Sequence, residues 1–458
     1  MKLTKTKNDM KNFSWIFLGF LLIVFSCTSS DADSDDIEPI EENQEEEIIT
    51  VPVVSTVQIT EITNKTATGG GTNINDGGSN ITQKGICWSK VSSPDLDDNF
   101  TEEGGSTEDF TSFLDELDGN TTYFVRAYAI NEIGVGYGEE LSFTTDENPV
   151  VVYEGDVELT SQAEVDEFGM NGYTIVTGSF AVVANLINQV NPEYISNLDG
   201  IKQLTEVGTD LSILSTTVEN LDALSNLKKV GGSINIQGNP LLAEIDFLNE
   251  ITEINSDVVI SSNPSVIEIS GFKNVVSING DLELISMDGL ETISGFGQLN
   301  SISGLLRFQS LISVMDFSGF TSLSSIGGDL DILTSSISDM NGFSSLTNIG
   351  GSLILRTNVI LDNVDGLSNL STIQGDLIVD NNASALNNNF TDGLKNVNGF
   401  INLNTLGGDL TVTSNKLLTD FCGLKTIFEN GYTGNYTVGS SNGYNPSKEQ
   451  ILGDECSN

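Results

Sequence analysis

Carboxylates dominate the chemistry open to this chain: 65 Asp and Glu stand against 18 Lys and Arg, and there is no histidine. Without histidine neither a Ser–His nor a Cys–His nucleophile can be assembled, and His-based zinc sites go with them. The four cysteines, Cys27, Cys87, Cys422 and Cys456, lie too far apart in sequence for a metal knuckle. Recurring Gly-Gly pairs lack the Lys-Ser/Thr that follows in a phosphate loop. Acid–base chemistry by paired carboxylates is what remains. A glycoside hydrolase needs two of them a few ångströms apart, whereas a polysaccharide lyase needs a base together with cations that neutralise a uronate. The ten Lys and Arg between positions 198 and 458 are scattered, so no lyase constellation can be named.

Six of the aspartates, Asp210, Asp257, Asp281, Asp329, Asp376 and Asp409, lead back to the element that positions them. Each holds fourth place in a seven-residue phrase: apolar, any, Gly, Asp or Ser, apolar, any, apolar. It recurs ten times from Val176, as in Ile326-Gly-Gly-Asp-Leu-Asp-Ile332 and Ile373-Gln-Gly-Asp-Leu-Ile-Val379. Between Leu211 and Leu377 its fifth position advances in steps of 23 or 24. A fixed period in that range means stacked units, each too small to bury its own apolar face. The aspartates are therefore corner residues first. Such carboxylates suit calcium as hard ligands, but the spacing does not match a nine-residue calcium-binding repeat, and no cofactor or metal is expected.

In each phrase the apolar–any–apolar strand points alternate side chains inward. The preceding Gly supplies a sharp corner. After the strand a second corner often carries Asn (Asn239, Asn263, Asn358, Asn382 and Asn415), which tolerates left-handed geometry and lets stacked corners share hydrogen bonds. Three apolar edges per period wrap one turn of a β-helix, and ten coils stacked at about 4.8 Å reach roughly 45 Å. The Ile-Gly-Gly-Asp-Leu-x-Ile phrase and the connectors Asp365-Gly-Leu367 and Asp392-Gly-Leu394 resemble the receptor L domain, a leucine-rich β-helix. Ordinary leucine-rich repeats keep a tighter spacing. The resemblance implies a binding domain with no catalytic residues to carry over. Ser161-Gln-Ala-Glu164 opens a short capping helix that ends near Gly169, and a bridge between Cys422 and Cys456 would close the last coil.

Residues 1–26 read as an export signal: four Lys lead into the uncharged apolar run Phe13 to Phe25, too short to span a membrane comfortably. The run stops at Val24-Phe-Ser-Cys27, which resembles a bacterial lipobox and implies lipidation of Cys27. Residues 27–50 are an acidic tether that self-repels and cannot collapse; directly after a lipid Cys, such a stretch resembles the surface-export signal of Bacteroidetes lipoproteins. The formal charge is −47, and without residues 1–26 (four Lys, one Asp) it is about −50. That disfavours nucleic acid as a partner and leaves the N-terminal lipid as the one membrane contact.

Residues 51–146 read as a separate β-sandwich, with strands expected at Val57–Ile62, Thr66–Gly71, Lys84–Ser89, Thr122–Asn131 and Glu140–Thr145. Its end, with Tyr123 before a long strand, resembles a fibronectin type III domain, which implies a corner held by Tyr123. Trp88 is expected in the core and Cys87 on the opposite side of its strand, a lone thiol. The chain is thus all-β: sandwich, then a β-helix of about ten coils over 150–458.

On the stacked strands the middle residue faces outward. That column brings Glu283, Arg307 and Asp331 together with alternating sign, followed by Ile354 and Ile378, while the next outward position adds Ile285 and Leu333. Exposed apolar residues on a flat sheet mark a binding face, unless the segment Ala383 to Phe390 folds over them. The expected function is non-catalytic recognition of an extracellular protein or glycan by a lipoprotein at the outer membrane. The alternative is a polysaccharide-degrading enzyme built on a parallel β-helix.

Overall fold

The computed structural model describes residues 48–184, 194–314, 317–383, 392–439 and 441–458. Cys27, the export signal, most of the tether, and nearly all of the Ala383 to Phe390 segment lie outside the described residues.

Alternation of apolar and polar residues writes one long wall. Twelve short parallel strands, from Val157–Leu159 to Tyr436–Val438, form a single sheet in register. In nearly every strand the first and third residues are buried and the second and fourth are not, as in Leu353 and Leu355 against Ile354 and Arg356. A second wall is made by two-residue parallel strands one corner upstream, in a four-stranded and a seven-stranded sheet. The third wall changes along the axis. Coils through Glu244–Ile245, Glu268–Ile269 and Thr292–Ile293 carry strands there, whereas the others turn through single 3-10 helices such as Asn341–Phe343 and Asp365–Leu367. Along this side Phe272, Phe296, Phe320 and Phe343 stack coil upon coil, with ring centroids 5.0, 5.4 and 5.9 Å apart. One continuous apolar core runs the length of the β-helix.

Twelve rungs rather than ten line the long sheet. The extra two are Tyr153-Glu-Gly-Asp-Val-Glu-Leu159 and Tyr432-Thr-Gly-Asn-Tyr-Thr-Val438. Both depart from the repeat by carrying Tyr in its first place, where aliphatic residues stand elsewhere, and the last also has Asn435 in the fourth. The expected roles of Gly and Asn also change. Gly350 has ordinary backbone angles; what it needs is space, because a Cβ there would lie 2.2 Å from the Gly327 carbonyl oxygen of the previous coil. Left-handed backbone falls instead on the residue before each corner Asn, at Gly238, Ser262, Thr357, Asn381 and Ser414, with φ between 55° and 69°. This sharp turn points the next side chain into the core, where Asn239, Asn263, Asn358, Asn382 and Asn415 are fully buried.

Those asparagines form a ladder. The Asn382 side-chain oxygen accepts the Asn358 N–H at 2.9 Å, while its amide donates to the Leu355 carbonyl at 2.9 Å. Asn415 repeats both contacts one coil on, with the Asn382 N–H at 2.9 Å and the Val379 carbonyl at 2.9 Å. Corner backbone that would otherwise be buried and unpaired is thereby satisfied. Met287 and Leu311 replace the ladder in two middle coils.

The ends are closed differently. Helix α1 (Gln162–Met170) is capped by the Ser161 side chain on the Glu164 N–H, while Glu164 reaches past Ser161 to the Thr160 N–H at 2.6 Å. It buries Val165 and Phe168, with Phe168 against Phe180 of the long sheet. At the far end α2 (Lys425–Glu429) and α3 (Lys448–Leu452) cover the last rung, and a disulfide joins Cys422 to Cys456.

The N-terminal module has its own core between two antiparallel sheets. One comprises β1 (Val53–Thr56), β2 (Ala67–Asn75) and β5 (Phe110–Leu114). The other holds β3 (Gln83–Ser89), β4 (Asn99–Phe100), β6 (Thr122–Ile130), β7 (Val135–Tyr137) and β8 (Leu141–Thr144). The strand expected at Val57–Ile62 lies earlier, at β1; past it only Thr60 pairs, as a lone bridge to Thr68. Trp88 is in the core, and Cys87 is buried on the other side of β3. The Tyr123 hydroxyl accepts the Asp118 N–H at 3.0 Å, tying down the corner before β6.

Candidate binding face

The outward side of the twelve-stranded sheet is built by the same alternation that fills the core. Parallel pairing sets Glu283 beside Arg307, Arg307 beside Asp331, Asp331 beside Ile354 and Ile354 beside Ile378. In the second outward column Ile285, Gln309, Leu333 and Arg356 follow one another. The tertiary structure therefore assembles the residues singled out from sequence onto one face. Ile285, Leu333, Ile354 and Ile378 are each half-buried, flanked by their strand neighbours rather than standing free.

Arg307 is the electrostatic centre of the face. It donates to Asp331 Oδ2 from Nε at 3.1 Å and Nη2 at 2.9 Å, and to Glu283 Oε2 from Nη1 at 2.9 Å. Hydrogen bonding to Asp331, with the Asp331 and Glu283 charges beside it, outweighs the opposing effect of partial burial and leaves the guanidinium holding its proton more firmly than a free arginine. Asp331 is only 5% exposed, and its Oδ1 has no hydrogen-bond partner among the described residues. The alternating charges are legible in the sequence but the buried acceptor is not, because its burial depends on the neighbouring strands that bring Arg307 and Ile354 alongside it. One row further on, Arg356 reaches Asp380 at 3.5 Å.

The corner aspartates serve backbone. Asp329 accepts the Ser352 N–H at 2.6 Å, Asp376 the Asp409 N–H at 2.7 Å, and Asp281 the Leu305 N–H at 2.7 Å. At the first rung the N–H of Ser179 holds the Asp156 carboxyl below its ordinary range. Each such carboxylate bonds the same corner of the next coil, so its geometry is set by stacking. Among the described residues no three Cys, Asp or Glu side chains come together as a metal site, and no helix is long and apolar enough to cross a membrane. Of the cysteines, Cys87 is the free one among the described residues, and burial pushes its thiol up to about 11.

No family model matches the chain, and no curated protein does. Solved structures give weak likenesses. Domains A168-A170 of titin are 21% identical over 21% of this chain and 32% of that chain, with a TM-score of 0.17. A myokine structure is 21% identical over 21% of this chain and 99% of its own, also at 0.17. Pectate lyase PelI from Erwinia chrysanthemi, in complex with tetragalacturonic acid, is 9% identical over 71% of this chain and 84% of its own, at 0.16. TM-scores this low carry no argument about activity; the parallel β-helix stands on its own strand pairing.

Proposed function

We propose that this chain is a lipid-anchored protein of the outer membrane that presents a β-helical recognition face to the cell exterior, without catalysis. In this reading Cys27 carries the lipid, the acidic segment is a tether, and the module of residues 51–146 is a fibronectin type III-like spacer. The β-helix belongs to the receptor L domain type. One observation carries the proposal: four aliphatic side chains, Ile285, Leu333, Ile354 and Ile378, lie on the outward face of a long flat sheet, next to an ion trio held in register. A flat surface of this kind, with aliphatic residues beside fixed charges, fits recognition of another molecule's surface. The repeat carboxylates favour the same reading over a hydrolase, since their oxygens already accept backbone N–H groups of the next coil.

Replacing Ile354 and Ile378 with Ser tests the face. Attachment of cells displaying the protein to an array of extracellular proteins and glycans should weaken, with the circular dichroism spectrum unchanged. Unaltered attachment would remove the face from the proposal, and release of shortened oligosaccharides by the purified protein would replace recognition with hydrolysis.

A further inference from the structure

We infer that the sheet face is self-complementary and that its partner is a second copy of this chain, a step that rests on reading this face as a contact surface. The first observation is charge. The chain as a whole carries −47, yet the outward positions of the twelve strands hold four acidic residues and two basic ones: Glu158, Glu283, Asp331 and Asp380 against Arg307 and Arg356. Screening confines exposed charges to about 8 Å at physiological salt. Two copies repel least where both surfaces are locally balanced, and on this face from Arg307 to Thr437 the outward charges are Arg307 and Arg356 against Asp331 and Asp380. Its outward positions also hold no Phe, Tyr or Trp, so the ring stacking that a glycan platform relies on is missing.

The second observation is register. Parallel strands one coil apart place Ile354 beside Ile378 and Arg356 beside Asp380. A two-fold axis parallel to the strands, lying between two such faces and level with the gap between these two coils, reverses the coil order and preserves each column. Ile354 then meets the partner's Ile378, and Arg356 meets the partner's Asp380. One coil outward from the isoleucine pair on either side, the same operation lays Thr411 of the partner subunit over Asp331. An apolar centre and a flanking ion network thus follow from one symmetry operation, as an isologous contact requires.

The overlap runs from Arg307 to Thr437. Six strands about 4.8 Å apart and about 13 Å long give roughly 400 Å² per copy, half of what a standard stable interface buries. The contact is accordingly weak in solution and gains strength when many copies share a membrane.

The test co-expresses two full-length variants on one cell, Ile354→Cys with one tag and Ile378→Cys with another. The expected result is a disulfide-linked pair carrying both tags, about tenfold above that formed when Ser212→Cys replaces Ile378→Cys. Equal yields, or no linked product in the mixture, would overturn the inference. Light scattering of the concentrated full chain in detergent gives a readout free of new cysteines. Dimer mass should increase as salt rises, because screening relieves the overall repulsion; a monomer at every salt concentration overturns the proposal. Should the Ser variants weaken attachment while no linked pair forms, the face binds a foreign partner and only the second copy is wrong.

Discussion

Arg307 gives both of its Asp331 hydrogen bonds, from Nε and Nη2, to the same carboxylate oxygen and leaves the other without a donor. The pair lies one coil apart on adjacent parallel strands. A buried carboxylate is tolerated there because a guanidinium is pinned beside it, itself steadied by Glu283. The arrangement is thus a conditional one, stable only while all its members are present.

Removing the cation alone should be costly. Arg307→Met leaves Asp331 buried with an uncompensated charge, and we expect a loss of about 1–3 kcal/mol. The double variant Arg307→Met with Asp331→Leu should recover most of it. Urea unfolding midpoints decide the matter: equal midpoints for the parent and the single variant would mean that the pair contributes nothing.

The asparagine ladder makes a sharper comparison. Asn382→Ala strips the Asn358 N–H of its acceptor and the Leu355 carbonyl of its donor, at about 1–3 kcal/mol for each group left buried and unpaired. Met287→Leu, at the equivalent corner where the ladder is already apolar, should cost less than about 1.5 kcal/mol. Amide exchange at Asn358 should accelerate in the first variant and not in the second. A uniform effect at both corners would show that packing, not hydrogen bonding, holds them.

Cys87 makes the N-terminal module sensitive to alkali. Burial raises its thiol from 9.0 to about 11 in the folded state. The native form therefore holds the proton more tightly than the unfolded chain, so the contribution is whole below pH 9.0 and is lost as pH rises towards about 11. Thermal melts of the parent should fall across that window relative to those of Cys87→Ala. Native protein should also resist iodoacetamide at neutral pH and react in denaturant; rapid labelling of the folded protein would contradict the burial.

Lipidation is tested at the other end of the chain. Cys27→Ala should move the protein out of the outer-membrane fraction or stop its maturation, visible as altered mobility on gels. Unchanged fractionation together with unchanged mobility would end the lipoprotein reading.

The amino-acid sequence by itself determined the coil. A period of 23 or 24 with strict two-residue alternation admits one register, since a slip by a single residue turns every apolar side chain to solvent. The stacking of Glu283, Arg307 and Asp331 and the adjacency of Ile354 and Ile378 follow from that register and are legible in the order of residues alone. The Cys422–Cys456 bridge is legible too, from the place of the two cysteines at the end of the repeats. Identity of the corner roles is not. Whether Gly350 is needed for its backbone angles or for room depends on how near the Gly327 carbonyl comes, and the left-handed turn falls on Thr357 rather than Asn358 because only the inward position lets Asn bond the coils on either side. The first and last rungs escape the repeat pattern because Tyr153 and Tyr432 stand in an aliphatic place. Burial of Asp331 was decided by tertiary structure alone: how much water a side chain meets depends on its neighbours across strands 24 and 23 residues away, and no local pattern carries that distance.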